Sequence, residues 1–261
     1  MIYMKIKLSP ILLFAFTCCT LIVKSQSITV MTYNIHHGAN KEDVNRLEEM
    51  GAFIKQSGAD LVGLQEVDSV CRRSGGVDQI KKLGEITGMY YAFVRHFSYQ
   101  GGAYGQGILS RYPISDIRNN RLTLLKKDST RQSTALISAI VTLQDKKILF
   151  ASAHYALDDS TRIRQAAETI SYLNEQPYQL IFTGDLNAEP GTKEIHYLDQ
   201  FLTRTDTTSI PTYPAPAGIK TIDYIYIRKG DLNTIKSHTT PIIDHSDHLP
   251  VVSTIELSIK N

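Results

Sequence analysis

The chain has 261 residues, 42% of them hydrophobic and 21% charged, proportions that exclude a disordered or fibrous chain. Trp is absent, but 14 Tyr and 8 Phe supply aromatic mass, and the length suffices for one sizeable core or two small ones. Net charge is +2 over the whole chain and −1 without the three lysines of residues 1–25, which is no global field for gripping a polyanion, so nonspecific nucleic-acid affinity is not expected.

The first 25 residues differ from the rest. Lys5 and Lys7 precede an apolar run that starts at Ile11, passes Cys18-Cys19 and breaks after Val23 at Lys24-Ser25-Gln26. A basic start, a short apolar centre and small residues near a cut describe a secretory signal peptide, cleaved after Ser25. Residues 26–261 then form a single exported domain, periplasmic or extracellular. The alternatives are an uncleaved anchor, although the run is shorter than the roughly 20 residues a span needs, and a lipid on Cys18 or Cys19. Loss of the leader leaves Cys71 as a lone, structural cysteine and removes three lysines and no acid.

Beyond the leader, residues 27–33 alternate at period two with β-branched side chains, a strand pattern. Leu47, Met50 and Ile54 fall at helical spacing, and Gly58 suits the stop. Residues 60–64 predict a short buried strand ending at Gln65-Glu66. Another is expected at Ile108-Leu109, and two more over 134–143 and 147–153. A helix is expected over 162–175 before Pro177. Leu180 to Phe182 form a strand running into Gly184-Asp185-Leu186-Asn187. A short helix over 192–201 and strands over 222–227 and 250–257 complete the chain. Strands often follow one another directly, so two packed sheets flanked by helices fit better than a simple alternating chain.

The polar residues that stand out lie at, or just past, predicted strand ends, where side chains from distant segments can converge on one rim. Asp185 and Asn187 are two apart and point the same way on an extended segment. A carboxylate beside an amide can polarise water and hold a phosphoryl oxygen, or can form a turn bonding its own backbone. Asp244, His245, Asp247 and His248 crowd the approach to the last strand, with Asp247-His248 the stronger pair. Asp223 sits in an otherwise apolar strand and needs a partner, naturally an imidazole. Glu66 brings charge to the mouth of a buried strand, and such carboxylates suit Mg²⁺ or Mn²⁺ better than Zn²⁺. Asn34 and His154 complete the set, with His36 and His37 on the rim. The segment Tyr99-Gln-Gly-Gly-Ala-Tyr104-Gly-Gln-Gly107 reads as a flexible loop at that rim. Tyr104 and Arg111 are candidate substrate contacts, and Arg72-Arg73, Arg95-His96 and Lys126-Lys127 candidate phosphate contacts. The short, Pro-rich stretch between Phe201 and Thr221 leaves little room for a large insertion around substrate.

In order, Thr32-Tyr-Asn34-Ile, Leu64-Gln-Glu66-Val, Gly107-Ile-Leu-Ser-Arg111-Tyr-Pro113, Ala153-His154, Gly184-Asp185-Leu-Asn187, Ile222-Asp223-Tyr and Ser246-Asp247-His248-Leu-Pro250 resemble the motifs of the endonuclease/exonuclease/phosphatase superfamily, the deoxyribonuclease-I-like fold. The resemblance spans residues 28–257. It implies an α/β (α+β) four-layer sandwich of two mostly antiparallel sheets and Mg²⁺-dependent hydrolysis by in-line attack of water on phosphorus. By the same resemblance Glu66 ligates Mg²⁺ helped by Asn34, and Asp185 handles the attacking water. Asn187 holds a phosphate oxygen, and Asp223 orients His248 toward the scissile phosphate. His154 donates to a phosphoryl or leaving oxygen, and Asp247 supports the metal or its loop. The expected partner is a phosphate ester, either small molecule, lipid headgroup or nucleic acid, with no obligate protein partner and a monomeric chain. The competing readings are an endonuclease of the same fold and a binding protein that lost catalysis. A polysaccharide hydrolase would not call for the His and Asn residues.

Overall fold

In a computed structural model of the chain, the described residues are 25–126, 131–206, 208, 210–231 and 233–258. The expected leader before Ser25, with Cys18 and Cys19, and Lys127 lie outside them. Strands and helices are numbered in chain order. One six-stranded sheet contains β1 (Ser25–Asn34), β2 (Leu61–Ser69), β3 (Tyr90–Tyr99), β4 (Gly102–Ser110), β11 (Thr234–Thr239) and β12 (Val251–Ser258), in the order β11-β12-β1-β2-β4-β3. The second contains β5 (Ile114–Thr123), β6 (Ser133–Leu143), β7 (Lys146–His154), β8 (Gln179–Asp185), β9 (Leu202–Arg204) and β10 (Asp223–Arg228), in the order β5-β6-β7-β8-β10-β9. Only β1–β2 and β7–β8 pair in parallel, so both sheets are mostly antiparallel, as the motifs implied.

Four layers result because each sheet is apolar on both faces. Along β1, Ile28 and Val30 enter the core between the sheets against Phe150 and Ile181, while Met31 and Tyr33 turn outward. The outward set packs under α1 (Leu47–Ser57) and α2 (Gln79–Thr87). On the second sheet, Leu149, Phe182 and Tyr226 pack under α3 (Asp159–Asn174) and α4 (Lys193–Phe201). A strand buried on both faces reads as a near-continuous apolar run, which is why these strands were visible. Among the described residues no helix is long and apolar enough to cross a membrane.

One expectation fails. Residues 99–107 are not a flexible loop but a hairpin, with the turn at Gln100 and Gly101, both at positive φ (44° and 88°). The glycines of β4 serve packing instead of mobility. A Cβ at Gly105 would lie 2.0 Å from the Val94 carbonyl oxygen, and one at Gly107 would lie 2.5 Å from Ile80.

The sheets come close together at their parallel pairs. A Cβ on Gly63 of β2 would lie 2.1 Å from Thr183 Oγ1 of β8 and 2.9 Å from Ser152 Oγ of β7. Gln65 spans the same gap, donating through Nε2 to Ser152 Oγ (2.8 Å) and to Thr32 Oγ1 (3.1 Å). Overpacking of this kind costs about 1–3 kcal/mol. Gly63→Ala is therefore expected to lower the unfolding free energy by about that amount in urea titrations, and an unchanged midpoint would refute the close approach.

Candidate active site

The first sheet supplies Asn34 and Glu66. Asn34 is the last residue of β1 and fully buried. Glu66 owes its direction to a β-bulge, because β2 pairs Leu64 with Gly107 but Val67 with Gly105. Leu64 and Val67 both pack on the helix side, so strict alternation would have sent Glu66 there too. Its φ of 58° re-aims the carboxylate into a cleft instead, a frequent use of bulges beside functional sites.

The second sheet supplies three more groups. His154 ends β7 beside Asp185, the end of β8, and Asp223 opens β10 on its other flank. Asp185 is only 1% exposed. Its Oδ2 accepts from Asn34 Nδ2 (2.9 Å) and lies 3.4 Å from His154 Nε2 and 3.6 Å from His248 Nε2. Its Oδ1 accepts from the backbone N–H of Asn187 at 2.9 Å. Asn34 gives its second amide hydrogen to Glu66 Oε1 at 3.0 Å. Its own Oδ1 accepts from the His36 backbone N–H at 3.0 Å. Asn34 therefore helps Glu66 by holding it, and its oxygen is turned to its own loop.

His248 precedes β12 and is tied down on every side. Nδ1 donates to Asp223 Oδ2 at 2.9 Å, and that same oxygen accepts from Thr212 Oγ1 at 2.6 Å. Ser246 Oγ donates to the Asn34 carbonyl (2.7 Å) and accepts from the His248 N–H (3.2 Å), which fastens the loop to the end of β1. Tyr213 lies against the imidazole with ring centres 4.7 Å apart. Burial alone would strip the imidazole of its proton, but Asp223, then Asp185 and Asp247, outweigh it and raise the pKa to about 10. The surrounding carboxylates thus favour the protonated imidazole. His154 and Asn187 form a second pair, with Asn187 Nδ2 3.0 Å from His154 Nε2 and donating to the Tyr155 carbonyl at 3.0 Å. Asn187, like Glu66, is held at positive φ (48°).

Glu66, His154, Asp185, Asn187, Tyr213 and His248 line one cleft of about 860 Å³, whose walls also carry Arg73, His96, Tyr104, Lys126 and Lys220, while Asn34 and Asp223 do not line it and bond to residues that do. The cluster expected from strand ends is therefore assembled, with Tyr104 beside it. Arg111 is not part of it. It follows the far end of β4, where Nε donates to the Ala59 carbonyl (3.0 Å) beside Asp60, so its expected substrate contact is withdrawn. Arg72, Arg95, Asp244 and His245 do not line the cleft, and His37 lines a smaller neighbouring pocket. Cys71 is buried, its thiol donating to the Tyr99 carbonyl and pushed up to about 11 chiefly by burial, as befits a structural residue. Sequence reasoning missed Thr212, Tyr213 and Ser246. Only Ser246 carried a signal, as part of the Ser-Asp-His motif. Thr212 and Tyr213 lie in the Pro-rich stretch, which enters the site instead of merely bypassing it.

The donor set fits a hard divalent cation. Glu66 Oε2 has no protein partner among the described residues, and Asp247, one-fifth exposed, lines the same wall. Oxygen ligands of this kind suit Mg²⁺ or Mn²⁺. Asp185, Asp223 and His248 also bring ligand atoms within 4.8 Å of one another. There, however, Asp223 Oδ2 and His248 Nδ1 already satisfy each other.

A model of the Endonuclease/Exonuclease/phosphatase family matches residues 31–248, a span that begins and ends with this cluster. The chain belongs to that family. Its relatives include YbhP of Escherichia coli K12, itself uncharacterized, 26% identical over 250 residues that cover 88% of this chain and 97% of YbhP. Among solved structures, a family member from Bacteroides thetaiotaomicron superposes with a TM-score of 0.74 at 16% identity, over 92% of this chain and 98% of that one. The mannosyl-6-phosphatase of the same organism gives 0.67 at 17% identity, over 87% and 99% of the two chains. The human Nocturnin catalytic domain, solved with bound sulfate, gives 0.70 at 20% identity, over 91% and 97%. At these identities the structures share the fold. Membership places the chain among hydrolases of phosphoester bonds.

The pKa of His248 has a sign that can be checked. Because its folded value exceeds the ordinary 6.5, the group stabilises the fold fully below pH 6.5, and that contribution fades as pH rises toward about 10. In metal-free buffer, Asp223→Asn should move the His248 titration, followed by NMR, well down toward its ordinary range. It should also flatten the loss of stability across that pH window. A titration unmoved by the substitution would contradict the pairing.

Proposed function

We propose that the protein is an exported, metal-dependent phosphoesterase that hydrolyses its substrate by in-line attack of water on phosphorus. The observation behind this reading is the placing of Asp185 between two imidazoles, within one hydrogen bond of the residue that holds Glu66. Phosphoryl transfer demands positioning and neutralised charge more than covalent chemistry, and this arrangement offers both. Glu66 and Asp247 would hold Mg²⁺ or Mn²⁺, which when bound neutralises charge on the phosphoryl oxygens.

The chain's own groups divide the remaining work. Asp185 orients the attacking water and takes its proton, being the buried carboxylate at the centre of the cluster. His248 is kept protonated by Asp223 and acts as a cationic donor to the phosphoryl group, so it is not the base. Asn187 and His154 present a second pair of polar atoms toward the same space, suited to a phosphoryl and a leaving oxygen. The fold shared with a mannosyl-6-phosphatase supports a small phosphoester as substrate. The mixed charge of the cleft, where Asp158, Asp159 and Glu189 accompany Arg73, Lys126 and Lys220, supports it over a long polyanion.

With Mg²⁺ or Mn²⁺ the purified domain should release nitrophenol from bis-p-nitrophenyl phosphate, and EDTA should abolish the activity. His248→Ala should lower kcat by about 10²–10⁴-fold, the range for loss of a positioned acid–base group, while circular dichroism still reports a folded chain. Full activity in that variant would refute the assignment. Plasmid nicking that outpaces small esters and collapses with added salt would move the reading to a nuclease.

A further inference from the structure

One cation in the cleft is built into place and has no task in the chemistry above. Arg73 lies in a short 3-10 turn (Arg72–Ser74) closed by Gly75 and Gly76, both at positive φ (70° and 72°). Its Nε and Nη2 donate to Oδ2 and Oδ1 of Asp68 at 2.8 and 2.9 Å, and the Asp68 side chain is 0% exposed. The guanidinium carbon also lies 4.8 Å from the ring centre of Tyr99 and 5.5 Å from that of Tyr104. One edge of the fork is thereby fixed, and the guanidinium is held against two aromatic rings. The opposite edge, Nη1, has no acceptor among the described residues, and the side chain remains 26% exposed on the cleft wall.

A guanidinium held by a buried carboxylate and stacked on aromatics is pre-organised to receive an anion in the plane of its free edge. The wall continues the theme, since Tyr104 stacks on Phe97 at 5.2 Å and Arg131 covers the Phe97 ring at 5.1 Å. Tyr104 lies against Arg73 and also feels the charges of Glu66 and Asp185. Burial, then the charge of Glu66, keeps its phenol protonated, with Arg73 opposing from its other side. Among the described residues the Arg73 side chain bonds to Asp68 and to none of the groups around Asp185, so its free edge offers an anion contact apart from theirs.

We propose that Arg73 forms a second anion subsite, and that the preferred substrate is a small molecule carrying a phosphate besides the one attacked. The proposal depends on the phosphoesterase reading only in taking the second anion to be phosphate. Binding can be measured without turnover, by calorimetry in EDTA, with fructose 1,6-bisphosphate and fructose 6-phosphate as probes. The bisphosphate should bind the unaltered chain about tenfold more tightly, the worth of one charge-assisted contact. Arg73→Gln should erase that advantage and leave the monophosphate within about twofold, and Arg73→Lys should restore part of it because the charge persists without the fork. Should Arg73→Gln fail to fold with Asp68 left unpaired, Asp68→Asn/Arg73→Gln keeps the net charge, leaves no lone buried ion and should show the same loss. Equal affinity of the unaltered chain for both esters, or binding of neither, would overturn the subsite. So would equal weakening of both esters by the substitution, which would place Arg73 at the attacked phosphate or in a purely structural role. Failure of the nitrophenyl assay with the bisphosphate preference intact would fault the hydrolytic reading alone.

Discussion

The buried carboxylate of Asp185 is the group on which the rest of the site depends. An ionised acid almost fully removed from water is tolerated only when its oxygens are met by donors or opposite charge. Here the partners come from four separate strands or loops. Asn34 reaches it from the other sheet, Asn187 caps it from its own turn, and His154 and His248 flank it. The contacts from Asn34, His154 and His248 tie other segments to one point, so the polar cluster also fixes how the two sheets meet at this edge. Burial makes the site rigid for the same reason that it makes it costly.

Local strain accompanies this rigidity. Glu66 and Asn187 are both held at positive φ, a conformation that non-glycine residues adopt at a cost and that clusters at functional positions. At Glu66 the backbone turns a side chain from where strand alternation would send it into the cleft, while at Asn187, just past β8, it brings the backbone N–H onto Asp185 Oδ1. The glycines follow a different logic. Gly63, Gly105 and Gly107 lie where a side chain would collide with a neighbouring strand, helix or sheet, and they let layers approach that would otherwise stand apart.

Much of this was legible in the sequence because the signals were local. The central strands announce themselves by continuous apolar runs, and the motifs that end them carry the polar residues of the site. The edges were not legible. β5 and β11 are short of buried side chains, so they leave no apolar period to read. α2 is short and follows the Gly75-Gly76 turn, where polar residues mask its buried face. The Tyr99–Gly107 segment misled because glycine selected for close packing resembles glycine selected for freedom. Arg111 misled because a motif fixes order along the chain but not which end of a strand faces the cleft. Thr212 reaches Asp223 and Tyr213 reaches His248 only through tertiary folding, which no spacing in the sequence encodes.

The register of β1 has a consequence for how the molecule is made. Its one neighbour besides β2 is β12, which pairs residues 25–32 with residues 251–258. The first strand of the domain thus waits for the last before its free edge is covered. His248 lies on the segment leading into that final strand, so its contacts with Asp223 and Asp185 join the end of the chain to the middle of the other sheet. A chain ending before that strand would lack His248 and leave the free edge of β1 without its antiparallel neighbour.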